Sequence, residues 1–185
     1  MITNAELCDA MQRWGFMERP APPAALRWAE TFLQAYGRAM TAVDDARPLV
    51  AALREESCVI PALELERLRS RTVLFFLDAV GQYVDSQPEL RDLPLDRDLP
   101  VIAGEFGIAP EDAFASVRMA LTGEKQGPPL ELVFPLLGHD RILIRIGAVN
   151  SRLLHGRGLE PIAYGPDGKP FEPIRGTPPS TKTRD

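Results

Sequence analysis

The residues best suited to chemistry in this chain are arginines near the ends of its predicted helices. Arg141, Arg145 and Arg152 are spaced i, i+4 and i+11, which places them on one face of a helix. A guanidinium presents its N–H donors in a planar fork that fits phosphate oxygens. The spacing therefore predicts a strip that tracks phosphate groups, with Arg157 extending it. The alternative is a solvated face whose cations favour the negative end of the helix dipole.

A second arginine-bearing segment precedes this row. Arg118 lies in the run SVRMALTG (residues 116–123), which is followed by GPPL (127–130) and by LLGHDR (136–141). A glycine at the end of an apolar periodic run is typical of a helix C-terminus, so Gly123 predicts a stop. Arg118 then projects from the last turns of that helix, where its fork can reach a phosphate or a base edge.

This succession of segments resembles the anticodon-binding, C-terminal region of bacterial glutamyl-tRNA synthetases. In that family an R-x-A-L-x-G segment leads through a proline-containing loop and a leucine to L-L-G-x-x-R. The resemblance covers residues 100–147, and residues 48–84 resemble the preceding helical subdomain less specifically. Residues 1–47 fit weakly and residues 148–185 do not fit. The resemblance implies a helical domain that reads RNA.

The same resemblance implies roles for the matched residues. Arg118 corresponds to an arginine that contacts the anticodon, and Gly127, Pro128, Pro129 and Leu130 correspond to the anticodon-contacting loop. Leu130 then offers an apolar edge to an unstacked base, because single-stranded loops are read by shape, stacking and edge hydrogen bonds. Glycine replaces the hydroxyl-bearing residue that some members carry before the first proline, which leaves any base preference open.

A packing role is the alternative for these residues. Arg118 could pair with a carboxylate such as Asp112 or Glu131 and clamp a neighbouring helix. The Gly-Pro-Pro turn could set the angle between two helices. A shared fold does not by itself imply a shared function, so RNA contact and helix packing both remain hypotheses.

Charge is unevenly divided along the chain. Residues 1–117 hold 11 arginines against 19 Asp and Glu, a balance of −8, whereas residues 118–185 hold 10 Lys and Arg against 7 Asp and Glu, a balance of +3. The total of −5 argues against broad coating of nucleic acid. A phosphate-contacting surface needs only local positive charge, and the segment that carries the motif is the cationic one.

Hydrophobic periodicity predicts helices almost throughout the chain. Thr3 and Glu6 form the pattern of a capping box for a helix through Trp14. Pro61 begins a longer amphipathic helix of about six turns, whose aromatic stripe we assign to the core. Two proline-rich arms around a Pro-Asp-Gly turn predict a small hairpin. The predicted fold is all-α: a two-subdomain helical bundle, anticodon-binding-domain-like, with a short C-terminal β-hairpin.

The predicted domain organisation has five segments. The stretch rich in proline and aspartate near the middle of the chain indicates a loop between two helical subdomains. The segments are an N-terminal helical subdomain (1–85), a linker loop (86–98), an anticodon-binding-like helical subdomain (99–155), an extended hairpin (156–175) and a disordered tail (176–185).

The sequence carries no pattern that supports catalysis. Segments like H-I-G-H and K-M-S-K-S, with which class I synthetases hold ATP, are lacking, and so are glycine-rich phosphate loops. His139 and His155 lie far apart without neighbouring ligands at metal-binding spacing, and Ser57-Cys58 has no nearby histidine. We therefore predict a protein that is not an enzyme and holds no metal or cofactor.

Location and partners follow from the same features. Cys8 and Cys58 are too few for a disulfide framework, no apolar run approaches the ~18–20 residues of a membrane span, and no signal peptide is apparent. These features predict a cytoplasmic protein without membrane contact. The first functional hypothesis is an RNA-binding module similar to a detached anticodon-binding domain, acting on tRNA or a tRNA-like loop. The others are a scaffolding module, binding a protein through its acidic first subdomain or its hairpin, and the non-catalytic half of a split synthetase.

Overall fold

The structure is a computed structural model that describes residues 2–155, apart from the side chains at positions 66, 67, 71 and 155. Eight α-helices and two short 3₁₀ turns account for most of that range. The helices are α1 (Asn4–Arg13), α2 (Pro23–Tyr36), α3 (Ala46–Arg54), α4 (Ala62–Arg67), α5 (Arg71–Asp85), α6 (Leu95–Glu105), α7 (Pro110–Thr122) and α8 (Leu130–His155). The 3₁₀ turns, Gly37–Ala39 and Val43–Asp45, connect α2 to α3.

The predicted capping box at the start of α1 is confirmed. The Glu6 amide donates to the Thr3 hydroxyl at 3.3 Å, and the Glu6 carboxylate accepts from the Thr3 amide at 2.8 Å. The hydrogen bond from the Thr3 backbone lowers the pKa of the Glu6 carboxyl. Both bonds satisfy donors that a helix N-terminus leaves without partners, which is why this local signal placed the helix start correctly.

Helix α8 is the element on which the others assemble. It packs against α2, α3, α5 and α7, so it contacts helices from both halves of the described chain. Gly138 interrupts it with φ 75° and ψ 167°, a conformation that glycine adopts without steric cost. Two residues before this kink the Leu136 carbonyl accepts a hydrogen bond from the Trp28 indole of α2, at 2.8 Å. The glycine of the L-L-G run therefore turns α8 where α2 crosses it.

The long helix predicted from Pro61 is broken in the structure. It divides into α4 and α5, because the chain is extended at Ser70 (φ −113°, ψ 138°). Leu68 is buried at the break, and its carbonyl accepts from the Ser70 amide at 2.7 Å. Ser70 directly precedes α5 without a capping hydrogen bond from its side chain, and hydrophobic periodicity does not register such a break. The core assignment of the aromatic stripe agrees with Phe76, which is fully buried.

The predicted fold class needs a correction at its C-terminal end. Residues 2–155 contain helices and no strand, which is consistent with a helical bundle, and the predicted β-hairpin is not seen. That hairpin (156–175) and the predicted tail (176–185) lie outside the described residues. Four prolines fall within 156–175, and a proline has no amide hydrogen to donate to a β-ladder, so the turn signal there was weak evidence for strands.

The predicted division of the chain at residues 86–98 stays a prediction. Helix α6 begins at Leu95, inside the predicted linker, and it packs against α5 before it and α7 after it. None of the helices within residues 2–155 combines the length and the apolar content needed to cross a bilayer.

Helix α7 ends at a residue whose backbone leaves no room for a side chain. Gly123 has φ 76°, and its amide closes the helix by donating to the Met119 carbonyl at 2.9 Å. A Cβ atom there would overlap the backbone carbonyl of Val59. The Val59 side chain is 89% exposed, so the backbone of that segment, and not its side chain, makes the contact. The predicted helix stop is also the point where two loops touch.

We predict that Gly123→Ala destabilises the fold more than Gly15→Ala does. Both glycines have nearly the same positive φ, but nothing lies near a Cβ placed on Gly15. The backbone strain of an alanine at such a φ is about 1–2 kcal/mol, and the collision with the Val59 carbonyl adds about 1–3 kcal/mol at position 123 alone. Urea denaturation of the two variants measures the difference; equal losses of unfolding free energy would show that the collision is relieved at no cost.

A polar contact ties α5 to α6. The Tyr83 hydroxyl donates to one oxygen of the Asp98 carboxylate at 2.8 Å, and Arg97 donates to the other oxygen at 2.8 Å. Burial and the bond to Asp98 raise the pKa of Tyr83 to about 12. The bonds from Arg97 and then Tyr83 lower the pKa of Asp98. The phenol therefore holds its proton more tightly in the folded protein than in the unfolded chain.

We predict that the stability of the protein falls between about pH 10 and about pH 12 partly through Tyr83. In that window the unfolded phenol loses its proton while the folded one keeps it, so unfolding is favoured as pH rises. Below that window the contribution is fully present. Urea midpoints measured across this range should decline less steeply for Tyr83→Phe than for the wild type, and identical slopes would contradict the assignment.

Candidate functional site

Arg118 holds the loop that follows its own helix. Its Nη1 donates to the backbone carbonyl of Pro128, and the same nitrogen lies 3.6 Å from the position of a Cβ on Gly127. The side chain is half-buried, and this burial lowers the pKa of Arg118 against the opposing effect of Glu131. The hydrogen-bond acceptor of Arg118 is a main-chain carbonyl, and not the carboxylate of Asp112 or Glu131 that the sequence suggests. The arginine therefore shapes the turn from inside.

The residues predicted to contact RNA divide into an exposed turn and a buried anchor. Gly127 and Pro129 are exposed and Pro128 is half-buried. Leu130 is 1% exposed, because it starts α8 with its side chain in the core. The structure thus places three of the four residues of the G-P-P-L run at the surface, and the leucine is not part of that surface.

Arg145 is an internal clamp between two helix ends. It is 2% exposed, and its guanidinium donates to the Leu121 carbonyl of α7 and to the Ala52 and Glu55 carbonyls at the end of α3, the latter two at 2.6 and 2.7 Å. The last carbonyls of a helix have no hydrogen-bond donor within the helix. A cation near them also interacts favourably with the negative end of the helix dipole. Burial lowers the pKa of Arg145.

Arg141 makes the same kind of contact one turn earlier, closer to solvent. Its Nε donates to the Arg54 carbonyl at 3.0 Å and its Nη1 to the Leu137 carbonyl at 3.3 Å, just before the α8 kink. Arg152 is exposed, and Arg157 lies outside the described residues. The predicted row therefore has one buried, one half-buried and one exposed arginine within the described part of α8.

An open cleft of about 430 Å³ lies beside the Gly127–Pro129 turn. One wall is the chain that leaves α3 through Cys58, and the other is the loop that leaves α7. Tyr36 of α2 also lines it, and burial raises the pKa of the Tyr36 hydroxyl. Arg145 lies at the cleft too, between its walls.

Sequence patterns provide only partial signals for these cleft residues. Tyr36 fits an apolar helical stripe, and Cys58 has neither a disulfide partner nor a nearby histidine in the sequence. In the structure the Cys58 thiol donates to the Ala120 carbonyl at 3.3 Å, and burial raises the pKa of that thiol. No group of three or more His, Cys, Asp or Glu side chains is placed to hold a metal ion within the described range. His139 instead bonds the Gln87 carbonyl at 2.8 Å through Nε2.

Comparison with known proteins agrees with the helical architecture and the motif. Residues 16–149 match the family described as anticodon binding domain. Glutamate–tRNA ligase 2 of Caldanaerobacter subterraneus subsp. tengcongensis is 29% identical over 85 residues, which is 46% of this chain and 18% of that protein. Glutamate–tRNA ligase of Dehalococcoides mccartyi is 30% identical over 94 residues, 50% of this chain and 19% of that protein. The match thus spans less than a fifth of the length of these relatives.

We predict that Arg145→Met lowers the free energy of unfolding by about 2–4 kcal/mol, because one buried and two partly buried carbonyls lose a charged donor at once. Arg152→Met is the matched control: it removes the same charge from the same helix at an exposed position and should change stability by less than about 0.5 kcal/mol. Chemical denaturation monitored by circular dichroism gives both values. Similar losses in the two variants would mean that the carbonyl contacts add little.

Proposed function

This chain belongs to the anticodon binding domain family, and from that premise we propose that it binds tRNA or a tRNA-like loop and performs no catalytic step itself. The observation that carries the proposal is the exposed Gly127–Pro129 turn, held by Arg118 at the mouth of a cleft. Unstacked bases are read by surfaces of this kind, where a stiff backbone supplies shape and nearby polar groups reach base edges. Relatives named as glutamate–tRNA ligases support the choice of tRNA.

The turn is suited to recognition because it is held before any ligand arrives. Pro128 and Pro129 restrict their own backbone, and Arg118 fixes the carbonyl between them. A surface that is already ordered loses less conformational entropy on binding. Only one guanidinium nitrogen of Arg118 is used within residues 2–155, so its remaining N–H groups are available to a phosphate or a base edge.

Local charge supports a modest electrostatic contribution. Arg118 and Arg152 are cations without an ion-pair partner among the described residues, whereas Lys125 pairs with Glu64 at 3.1 Å. With two phosphate contacts to a single-stranded loop, the logarithm of the association constant should fall with the logarithm of salt with a slope of about −1.4. Recognition then depends mainly on shape and base edges.

We predict that the purified protein binds total tRNA with a Kd in the micromolar range or below at low salt, and less tightly at physiological salt. Arg118→Ala should weaken binding by about tenfold or more, since it removes a cation and releases the Pro128 carbonyl. Arg118→Lys keeps the charge without the planar fork, so its affinity for tRNA should lie between those of the wild type and Arg118→Ala. Arg13→Ala, an exposed arginine on α1, is the control and should bind as the wild type does. Fluorescence anisotropy at two salt concentrations measures the affinity of the wild type and of the three variants.

Absence of binding at low salt by a folded protein would refute the proposal. Co-purification would then decide between the two other hypotheses: an unrelated protein partner would indicate a scaffolding module, and a catalytic synthetase chain would indicate half of a split enzyme.

A further inference from the structure

We propose that Arg145 is a positioning residue for RNA binding: without touching RNA, it sets the separation of the two cleft walls and so the presentation of the Gly127–Pro129 turn. This inference rests on the proposed function. It also changes the role of an arginine that its spacing assigned to a phosphate-tracking strip.

Arg145 donates hydrogen bonds to backbone carbonyls just before each cleft wall begins. Ala52 and Glu55, two of its acceptors, lie at the end of α3, directly before the segment that contains Cys58. Leu121, its third acceptor, lies two residues before Gly123, where the chain leaves α7 for the turn. One planar side chain thus fixes the origin of both walls relative to α8.

The walls also touch each other next to this clamp. The Cys58 thiol donates to the Ala120 carbonyl at 3.3 Å, and the Gly123 backbone lies against the Val59 carbonyl with no room for a Cβ. Contacts this close tolerate little displacement, because packed interiors do not deform freely. A change at Arg145 is therefore transmitted to the loop that continues from Gly123 to Pro128.

Direct contact between Arg145 and RNA is excluded by its placement. The side chain is 2% exposed, both of its terminal nitrogens donate to carbonyls, and its Nε is buried without a partner among the described residues. Burying a cation with an unpaired donor is costly, and here the donors to three carbonyls offset that cost. What the guanidinium supplies that an apolar residue cannot is a fixed geometry between three carbonyls.

The test compares Arg145→Lys with Arg152→Ala in the full chain, using total tRNA and a temperature at which circular dichroism shows each variant folded. Lysine keeps the charge but cannot span carbonyls on two helices with a planar fork. Arg145→Lys should weaken binding by about tenfold with an unchanged salt slope, because no phosphate contact is lost. Arg152→Ala should reduce the slope by about 0.7–1 with no change in thermal midpoint.

Amide hydrogen exchange provides a readout that does not depend on RNA. In Arg145→Lys the amides of both walls, residues 55–59 and 121–126, should exchange faster than in the wild type, while those of α1 stay unchanged. Arg145→Gln is the second variant and should show the same local pattern.

The outcomes separate the two proposals. If the wild type does not bind tRNA but amide exchange in both walls is faster in Arg145→Lys, the proposed function is refuted, while the role of Arg145 in holding the walls is supported. Wild-type affinity in a folded Arg145→Lys protein would overturn the positioning role, as would a salt slope reduced like that of Arg152→Ala. Unchanged exchange in the walls would overturn the clamp itself.

Discussion

The arrangement around α8 depends on one constraint: the last carbonyls of a helix need donors from outside it. Helices α3 and α7 both end beside α8, α7 at buried residues and α3 closer to solvent. Arg145 supplies donors to both ends, Arg141 adds a second donor at the end of α3, and Cys58 supplies one to α7. The two helix ends are held together because they share donors, and the chain segments that leave them become the two walls of a cleft.

The Gly127–Pro129 turn at the mouth of that cleft is positioned by contacts on either side of it. Gly123 directs the chain out of α7, Arg118 bonds the Pro128 carbonyl from the inner side, and Leu130 anchors the start of α8 in the core. Gly127 and Pro129 are left at the surface. A turn held between buried anchors leaves little ordering for the protein to undergo on binding, which suits the proposed recognition of an unstacked loop.

Packing and recognition are therefore not opposed explanations of the motif. Arg118 has a packing contact, although with the Pro128 carbonyl and not with the expected carboxylate, and this contact holds the turn that the proposed recognition needs. Arg145 is wholly interior, yet it lies between the walls of the cleft. Membership of the anticodon binding domain family is compatible with both roles, since a binding surface made of loops depends on the interior residues that place those loops.

Local signals in the sequence determined where helices begin and end: the capping box at Thr3 and Glu6 and the stop at Gly123 depend on bonds between residues a few positions apart. The same reasoning failed at Ser70, where the chain is extended between α4 and α5 although the apolar pattern continues across it. Spacing also placed the arginines on one helix, but only the tertiary structure decided which of them face inward. The carbonyls that bind Arg145 are 24, 90 and 93 residues away along the chain, so no periodicity within α8 could indicate them.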